Sequence, residues 1–443
     1  MKNSKNKETI ITSKDLNNKP EEIKNSSKLN KNKYLELYGS NYFRLKIAYS
    51  ILLNRAIKIS DIRSDSINPG LTSYEINFLK LISSITNGTI IHINSTGTNL
   101  TLIPGTITNN YGDNFTFETD RSRGLTYYCE GLIPISFFGK ESLHITLTGI
   151  TNNDIDSSVD SFQMSTCLLM QKLIVGDTVE FKIKKRGVLP NGIGEIYFKI
   201  PIVTNFAPFD WKDEGKIKRV RGIAFTSKLQ SSYSRALIDS CRGVLNNFLP
   251  DVYIMTDNYK DKNLETISPG YGLSLCAETK NGFYLCTDGI NDVNNLDKNA
   301  NDIAKEITLN FLNQIYCAGC INSNNQSLFL FLMALAEKNY VSYMKIGKIS
   351  DYTKGVLILI NKLLGVKFNI REWDEYDKED SSEEENENNE DENEENDNEE
   401  ENEEDEEEKK FNFQEEEIPQ SHKQYIFSCI GIGLKNIARI ELY

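Results

Sequence analysis

Residues 379–408 hold 21 aspartates and glutamates and not one lysine or arginine. No packed interior accepts such a run, because each ionised carboxylate would lose its hydration with no counter-charge to replace it. The tract therefore loops out of whatever body the rest of the chain builds. It lies between two apolar stretches of strand character, 366–370 and 425–431. The tract interrupts the order of strands, and 425–431 with 438–442 then closes the sheet. Closing such a loop costs little, since closure entropy grows only with the logarithm of length. Three uses stay open for the tract: it mimics nucleic acid, it binds basic proteins, or it is simply solvated.

The same tract sets the charge of the chain. The formal net charge is −14, and taking away those 21 acidic groups leaves +7. Residues 1–33 carry nine lysines against four acidic residues, a balance of +5, so the remainder is close to neutral at +2. A near-neutral body can still hold a basic stripe of the kind nucleic acid needs. The 1–33 tract is polar and short of aromatic residues, which predicts disorder. It lacks the apolar segment of a secretory signal, and its lysines are dispersed rather than clustered as in a nuclear address. No apolar run reaches the roughly 18 residues of a membrane helix. Eight cysteines in a 443-residue chain without a secretory signal read as reduced thiols. Cys317-Ala318-Gly319-Cys320 has no second cysteine or histidine pair to complete a zinc site, and reads as a helix end or turn. Neither a metal nor a cofactor is expected.

Apolar periodicity predicts helices over 74–86, 163–175, 231–248, 300–316, 325–335 and 355–364, and a helix running into a strand over 43–59. Alternation predicts strands at 89–93 and 100–103 joined around Gly97, and further strands at 143–150 and 178–185. A short buried strand is expected at 252–256. Residues 273–278 and 282–286 read as a hairpin turning at Lys280-Asn281-Gly282, because Asn-Gly favours a tight turn. Strands at 366–370, 425–431 and 438–442 close the body. Helix and paired strands recur in that order, an α+β arrangement with sheets packed against helices on one side.

Several constellations offer chemistry. Arg44, in Tyr38-Gly39-Ser40-Asn41-Tyr42-Phe43-Arg44, and Arg63, ahead of Asn68-Pro69-Gly70-Leu71, are candidate anion ligands; the plain alternative for each is an exposed arginine. Arg186-Gly187-Val188-Leu189-Pro190-Asn191-Gly192-Ile193-Gly194-Glu195 sets glycines beside an arginine. It either lets backbone approach a phosphate, with Arg186 as partner, or makes a tight turn that ends one domain. Gly215-Lys216-Ile217-Lys218-Arg219-Val220-Arg221-Gly222 alternates basic and apolar residues. On a strand, Lys216, Lys218 and either Arg219 or Arg221 partly share a face, which tracks phosphates by charge or is merely solvated. Asp213, Glu214, Asp239 and Asp257 are available carboxylates, but nothing in their spacing selects an acid–base pair.

These motifs resemble the RNA 3'-terminal phosphate cyclase family, and its cyclase-like branch in particular. Those that carry the resemblance are Gly-Ser-Asn-Tyr-Phe-Arg at 39–44, Asn-Pro-Gly-Leu at 68–71, Gly-Lys-Ile-Lys-Arg at 215–219, Leu-Pro-Asp-Val-Tyr-Ile at 249–254, Ser-Pro-Gly-Tyr-Gly-Leu-Ser-Leu at 268–275 and Asn-Gln-Ser-Leu at 325–328. Ile193 departs from the pattern, where the family usually has glycine, and Thr72 stands where many members have arginine. The resemblance implies the cyclase fold, a body of repeated βαβ-type units with a small inserted α+β domain. On that frame 1–33 is an extension, 34–200 and 289–373 form the body, and 201–288 is the inserted domain. Residues 374–410 are the acidic insert and 411–443 the strands that complete the body.

True cyclases carry an adenylated histidine just before a helix near the C-terminus. The matching segment is Gly347-Lys348-Ile349-Ser350-Asp351-Tyr352-Thr353-Lys354-Gly355, with Tyr352 at or beside the histidine position. His92, His144 and His422 lie elsewhere. A phenol of pKa about 10 offers little phenolate at neutral pH, so adenylation and cyclisation are not expected. At Ser323-Asn324-Asn325-Gln326-Ser327-Leu328 cyclases have Ala-Asp-Gln, and the segment reads here as a helix start capped by a polar side chain. The resemblance implies a nucleolar factor for small-subunit (18S) rRNA processing. Its partners would be an assembly GTPase and precursor rRNA within the small-subunit processome. The other readings are an endonuclease that cuts precursor rRNA, and an ATP-dependent cyclase with an unrecognised nucleophile.

Overall fold

The computed structural model describes residues 9–12, 34–109, 115–190, 192–259, 268–291, 299–317, 319–373 and 423–436. The longer helices are α1 Phe43–Leu52, α2 Ser73–Ile85, α3 Leu125–Ser136, α4 Ser232–Leu245, α5 Ala300–Tyr316, α6 Gln326–Leu335 and α7 Asp351–Leu364. Three sheets form the body. The first runs Thr9–Thr12, Ile90–Ile93, Leu100–Ile103, Ile57–Ser60, Leu35–Tyr38; the second runs Glu180–Lys185, Gly194–Ile200, Leu143–Gly149, Phe115–Glu118. The third runs Asp210–Trp211, Ser342–Ile346, Tyr425–Cys429, Asn369–Glu372. Each has one parallel pair at its edge, and its other neighbours are antiparallel. In the first two sheets α1 and α3 make the crossover between the parallel strands, as a parallel pair requires.

One large apolar core fills the space between these sheets and α1, α2, α3, α6 and α7; Phe78, Tyr128, Phe198, Phe329 and Phe427 are fully buried in it. Each such ring contributes about 1.5–3 kcal/mol over leaving it in water. Period-two burial is clean in Leu143–Gly149, where Leu143, Ile145 and Leu147 face the core. His144 sits on the other face, its Nδ1 2.8 Å from the Tyr197 hydroxyl.

The fourth sheet is the small inserted unit: Val252–Tyr259, Ile217–Ser227, Gly270–Thr279, Tyr284–Ile290. It has its own core, built from Val220, Ala224, Leu237, Leu275, Ala304 and Phe311. This core moves the expected limits of 201–288. Phe209 and Trp211 belong to the large core, and Asp210–Trp211 extends the third sheet, so the chain up to there is body. The apolar side of α5 covers the small sheet, so α5 belongs to the inserted unit. Periodicity shows that a helix has an apolar side but not which sheet covers it.

Asn369–Glu372 and Tyr425–Cys429 are antiparallel neighbours, with Glu372 opposite Tyr425 and the Trp373 amide donating to the Gln424 carbonyl at 2.9 Å. The chain thus leaves and returns at one place around 374–422. The acidic tract itself, His422 and the strand expected at 438–442 lie outside the described residues, as does most of 1–33. The exception corrects an expectation: Thr9–Thr12 pairs with Ile90–Ile93 as an edge strand rather than being unstructured.

Two expectations need refining. Residues 163–175 form a π-helical turn, Phe162–Thr166, followed by the helix Cys167–Leu173. Helix α3 was not expected, because nearly every one of its residues is buried and it carries Pro134. A helix apolar all round shows no periodic contrast. Among the described residues, no helix is long and apolar enough to cross a membrane.

Candidate functional site

Arg44 and Arg63 come from separate elements and meet at one cavity of about 500 Å³, together with Tyr42, Tyr74, Glu75, Arg123, Tyr127, Glu130, Asp156 and Tyr352. Arg44 lies in the first turn of α1, just after Tyr42, whose φ of 58° turns the chain into the helix. Its Nη1 donates to the Tyr127 carbonyl at 2.6 Å and pairs with Glu130 at 2.9 Å.

Arg63 sits in the left-handed region at φ 47°, a conformation that costs about 1–2 kcal/mol. A bidentate pair holds it there: Nη1 and Nη2 each meet a Glu75 oxygen at 2.8 Å. Glu75 is 2% exposed and also accepts the Thr72 amide at 2.9 Å, at the start of α2. The Asn68-Pro69-Gly70-Leu71 motif explains the loop. A Cβ on Gly70 would lie 2.3 Å from the Thr96 carbonyl, and the Leu71 amide donates to Gly97 at 3.1 Å. The motif seats the loop on the neighbouring hairpin and so fixes Arg63.

Sequence reasoning missed a third arginine. Arg123 precedes α3 and gives Nε and Nη2 to Asp156, which also accepts the Gly124 amide at 2.7 Å. Tyr127 and Glu130, three apart, share one side of α3, and Arg123 stands just before that helix with its guanidinium over the Tyr127 ring. The Arg44 and Arg123 guanidinium groups lie over the Tyr127 ring at 4.3 and 4.2 Å. Each cavity arginine therefore has its own carboxylate, and each guanidinium stays partly exposed. The wall is close to neutral in sum, but its N–H donors are fixed, so a phosphate docking there has little side-chain entropy to lose. Burial pushes the Glu130 carboxyl up, with Arg44 opposing.

The loop before α1 rests on a buried lysine. Lys46, 4% exposed, donates through Nζ to the Tyr38 and Gly39 carbonyls at 2.8 and 2.9 Å. Burial lowers its pKa from 10.5 to about 8, with Lys362 adding to the effect. Between about 8 and 10.5 the unfolded chain holds this proton and the folded chain does not, so the lysine's penalty fades as pH rises through that window. Native protein should gain stability relative to Lys46→Met as pH goes from 7 to 10 in urea unfolding. Parallel curves would show that the amine is not desolvated.

Tyr352 closes the cavity from α7. Its ring packs on Tyr42 with centroids 4.9 Å apart and planes at 49°. Tyr42 reaches that place only because position 355 is glycine; a Cβ there would lie 1.7 Å from the Tyr42 hydroxyl oxygen. Ser350 caps α7 by accepting the Thr353 amide at 3.1 Å. The Tyr352 phenol is pushed up, by burial first and then by Glu130, against the pull of Arg44. It is a poorer nucleophile than a free phenol. Gln326 ties α6 to this helix, accepting the Thr353 hydroxyl at 2.6 Å and donating to the Lys348 carbonyl at 3.0 Å. The cap expected at the start of α6 is absent. Asn325 instead bonds Thr166 at 2.9 Å and Ser165 at 3.2 Å.

Arg186 does not line the cavity. It is 3% exposed, bidentate to the fully buried Asp160 at 2.7 and 2.8 Å, and its Nε meets Asp257 at 2.6 Å. A buried guanidinium has to be neutralised, and two carboxylates occupy this one. Its glycines serve a tight connection between strands: a Cβ on Gly187 would lie 2.1 Å from the Gly194 nitrogen.

The basic strand lies in the inserted unit and none of its residues lines the cavity. A register shift at Lys218 leaves Arg219 and Arg221 on one face of Ile217–Ser227, with Lys216 and Lys218 exposed. Arg219 pairs with Glu278 at 2.5 Å, Lys218 with the same carboxylate at 3.4 Å, and Arg221 with Asp251 at 2.8 Å. The loose carboxylates do not gather: Asp257 serves Arg186, Glu214 pairs with Lys345 at 3.0 Å, and Asp213 binds Asn281 at 2.9 Å. Cys317 ends α5 and Cys320 is buried; all eight cysteines are free. Among the described residues, no group of His, Cys, Asp and Glu is arranged to hold a metal ion.

A family model for RNA 3'-terminal phosphate cyclase matches residues 35–370. The chain is 36% identical over 417 residues to a probable RNA 3'-terminal phosphate cyclase-like protein of Dictyostelium discoideum, covering 91% of this chain and 99% of that protein. It is 37% identical over 339 residues to the RNA 3'-terminal phosphate cyclase-like protein of Homo sapiens, at 76% and 90% coverage. It is 30% identical over 338 residues to the rRNA processing protein rcl1 of Schizosaccharomyces pombe, at 75% and 91% coverage.

Proposed function

The chain belongs to the RNA 3'-terminal phosphate cyclase family, and on that footing we propose that it is a nucleolar assembly factor for small-subunit rRNA, without cyclase activity. The observation that carries this reading is Tyr352. It stands in the segment where true cyclases place their nucleophilic histidine, packed on Tyr42, with its phenol pushed further from ionisation. The likeness to an rRNA processing protein supports the pathway. Precursor rRNA is the ligand on this reading, taken at the cavity of Arg44, Arg63 and Arg123, with an assembly GTPase as protein partner in the processome. The face of the inserted unit that carries Arg219 and Arg221 offers a second contact. Arg221 lies opposite Tyr253 in the parallel register, and Tyr253 and Met255 are exposed.

Co-purification from the organism's own cells tests the reading. Tagged protein should recover a GTPase and small-subunit precursor rRNA, and should take no label from ATP carrying a labelled α-phosphate. Covalent adenylation of the protein would restore the cyclase reading.

A further inference from the structure

The cavity combines two features that a pure phosphate site does not need. Its arginines are each held by a carboxylate, at Glu130, Glu75 and Asp156, and beside them stands an aromatic ring open to solvent. Tyr352 lines the cavity, is 48% exposed overall, and lies close to Arg44. Tyr42 packs against the ring at a tilt and is itself seated on the bare backbone at Gly355. A backed ring next to fixed guanidinium donors is the arrangement that takes a base on its π-face and the attached phosphate on the cations.

We propose that Tyr352 is the base-stacking platform of the cavity. One unpaired nucleotide of RNA docks with its base on the free side of Tyr352 and its phosphate toward Arg44, Arg63 and Arg123. This rests on the RNA-binding reading above and adds to it the class of ligand: a nucleotide out of the double helix, recognised by stacking and charge and not by pairing. Duplex RNA hides its base faces and does not fit.

The test is equilibrium binding of a fluorescent unpaired oligoribonucleotide to the full chain. Tyr352→Phe keeps the ring and should bind within about twofold of native. Tyr352→Leu keeps an apolar side chain without a ring and should bind about 5- to 150-fold more weakly, the range expected for one lost stacking contact. The salt dependence should not change, since no charge is removed. AMP should compete for the site and ribose 5-phosphate should compete far less. Equal affinity of Tyr352→Leu and native protein, or equal competition by AMP and ribose 5-phosphate, overturns the platform. Loss of binding in Arg44→Ala alongside an unchanged Tyr352→Leu would leave the RNA-binding reading standing without it. Both substitutions fall on a half-exposed side chain, and unchanged thermal unfolding checks that the fold survives.

Discussion

Arg186→Met unfolds the protein at markedly lower urea than native. Its guanidinium neutralises Asp160, which is 0% exposed, and no other arginine or lysine bonds that carboxylate among the described residues. Removing one partner of a buried pair strands the other charge, at about 3–5 kcal/mol. That is a large part of the 5–15 kcal/mol by which proteins of ordinary stability stay folded. Asp257 loses little, since its side chain is 45% exposed and water replaces the bond. Pairing the change with Asp160→Asn should recover most of the loss, because no uncompensated charge remains. The effect should also be local. Arg186 joins Asp160 of the body to Asp257 on Val252–Tyr259, so amide exchange in that strand should rise first. Native-like unfolding of Arg186→Met would return Arg186 to the anion ligands.

The second large effect concerns binding. Arg44→Ala with Arg63→Ala should weaken unpaired RNA by about 10- to 100-fold and flatten the salt dependence by about one to two units of slope, as the loss of two phosphate contacts requires. The pair will also cost stability, because Glu75 is 2% exposed and loses its one ion-pair partner among the described residues. Binding must therefore be read at a temperature where the variant stays folded. Lys218→Ala with Arg219→Ala and Arg221→Ala is the comparison. Arg221 and Asp251 pair at the surface, but Glu278, 15% exposed, loses both Lys218 and Arg219, so this variant too is read at a temperature where it stays folded. If the cavity variant keeps the native salt slope and the strand variant loses it, the RNA lies on the inserted unit.

Much of this was legible in the residues. The hairpins at 90–103 and 270–290, the helices α4 and α5, and the strands on either side of the acidic tract followed from period and turn chemistry. Other features needed three dimensions. Arg186 and Arg63 look alike in sequence, each an arginine ahead of a glycine-bearing loop, yet one is sealed between two carboxylates and the other opens to a cavity. Burial is a property of what packs over a residue, and no local pattern reports it. Arg123, Glu130 and Asp156 were missed for the same reason, on a helix without apolar contrast and a loop without a motif. Gly355 gave no signal at all, because its partner Tyr42 lies more than three hundred residues away in sequence.

Ultraviolet crosslinking of the protein to RNA in its own cells, with the crosslinked peptides and the RNA both sequenced, tests the central claim most directly. Crosslinks at Tyr42, Tyr127 or Tyr352 to small-subunit precursor rRNA are the expected result. Crosslinks confined to the inserted unit, or to RNA unrelated to the ribosome, would contradict it.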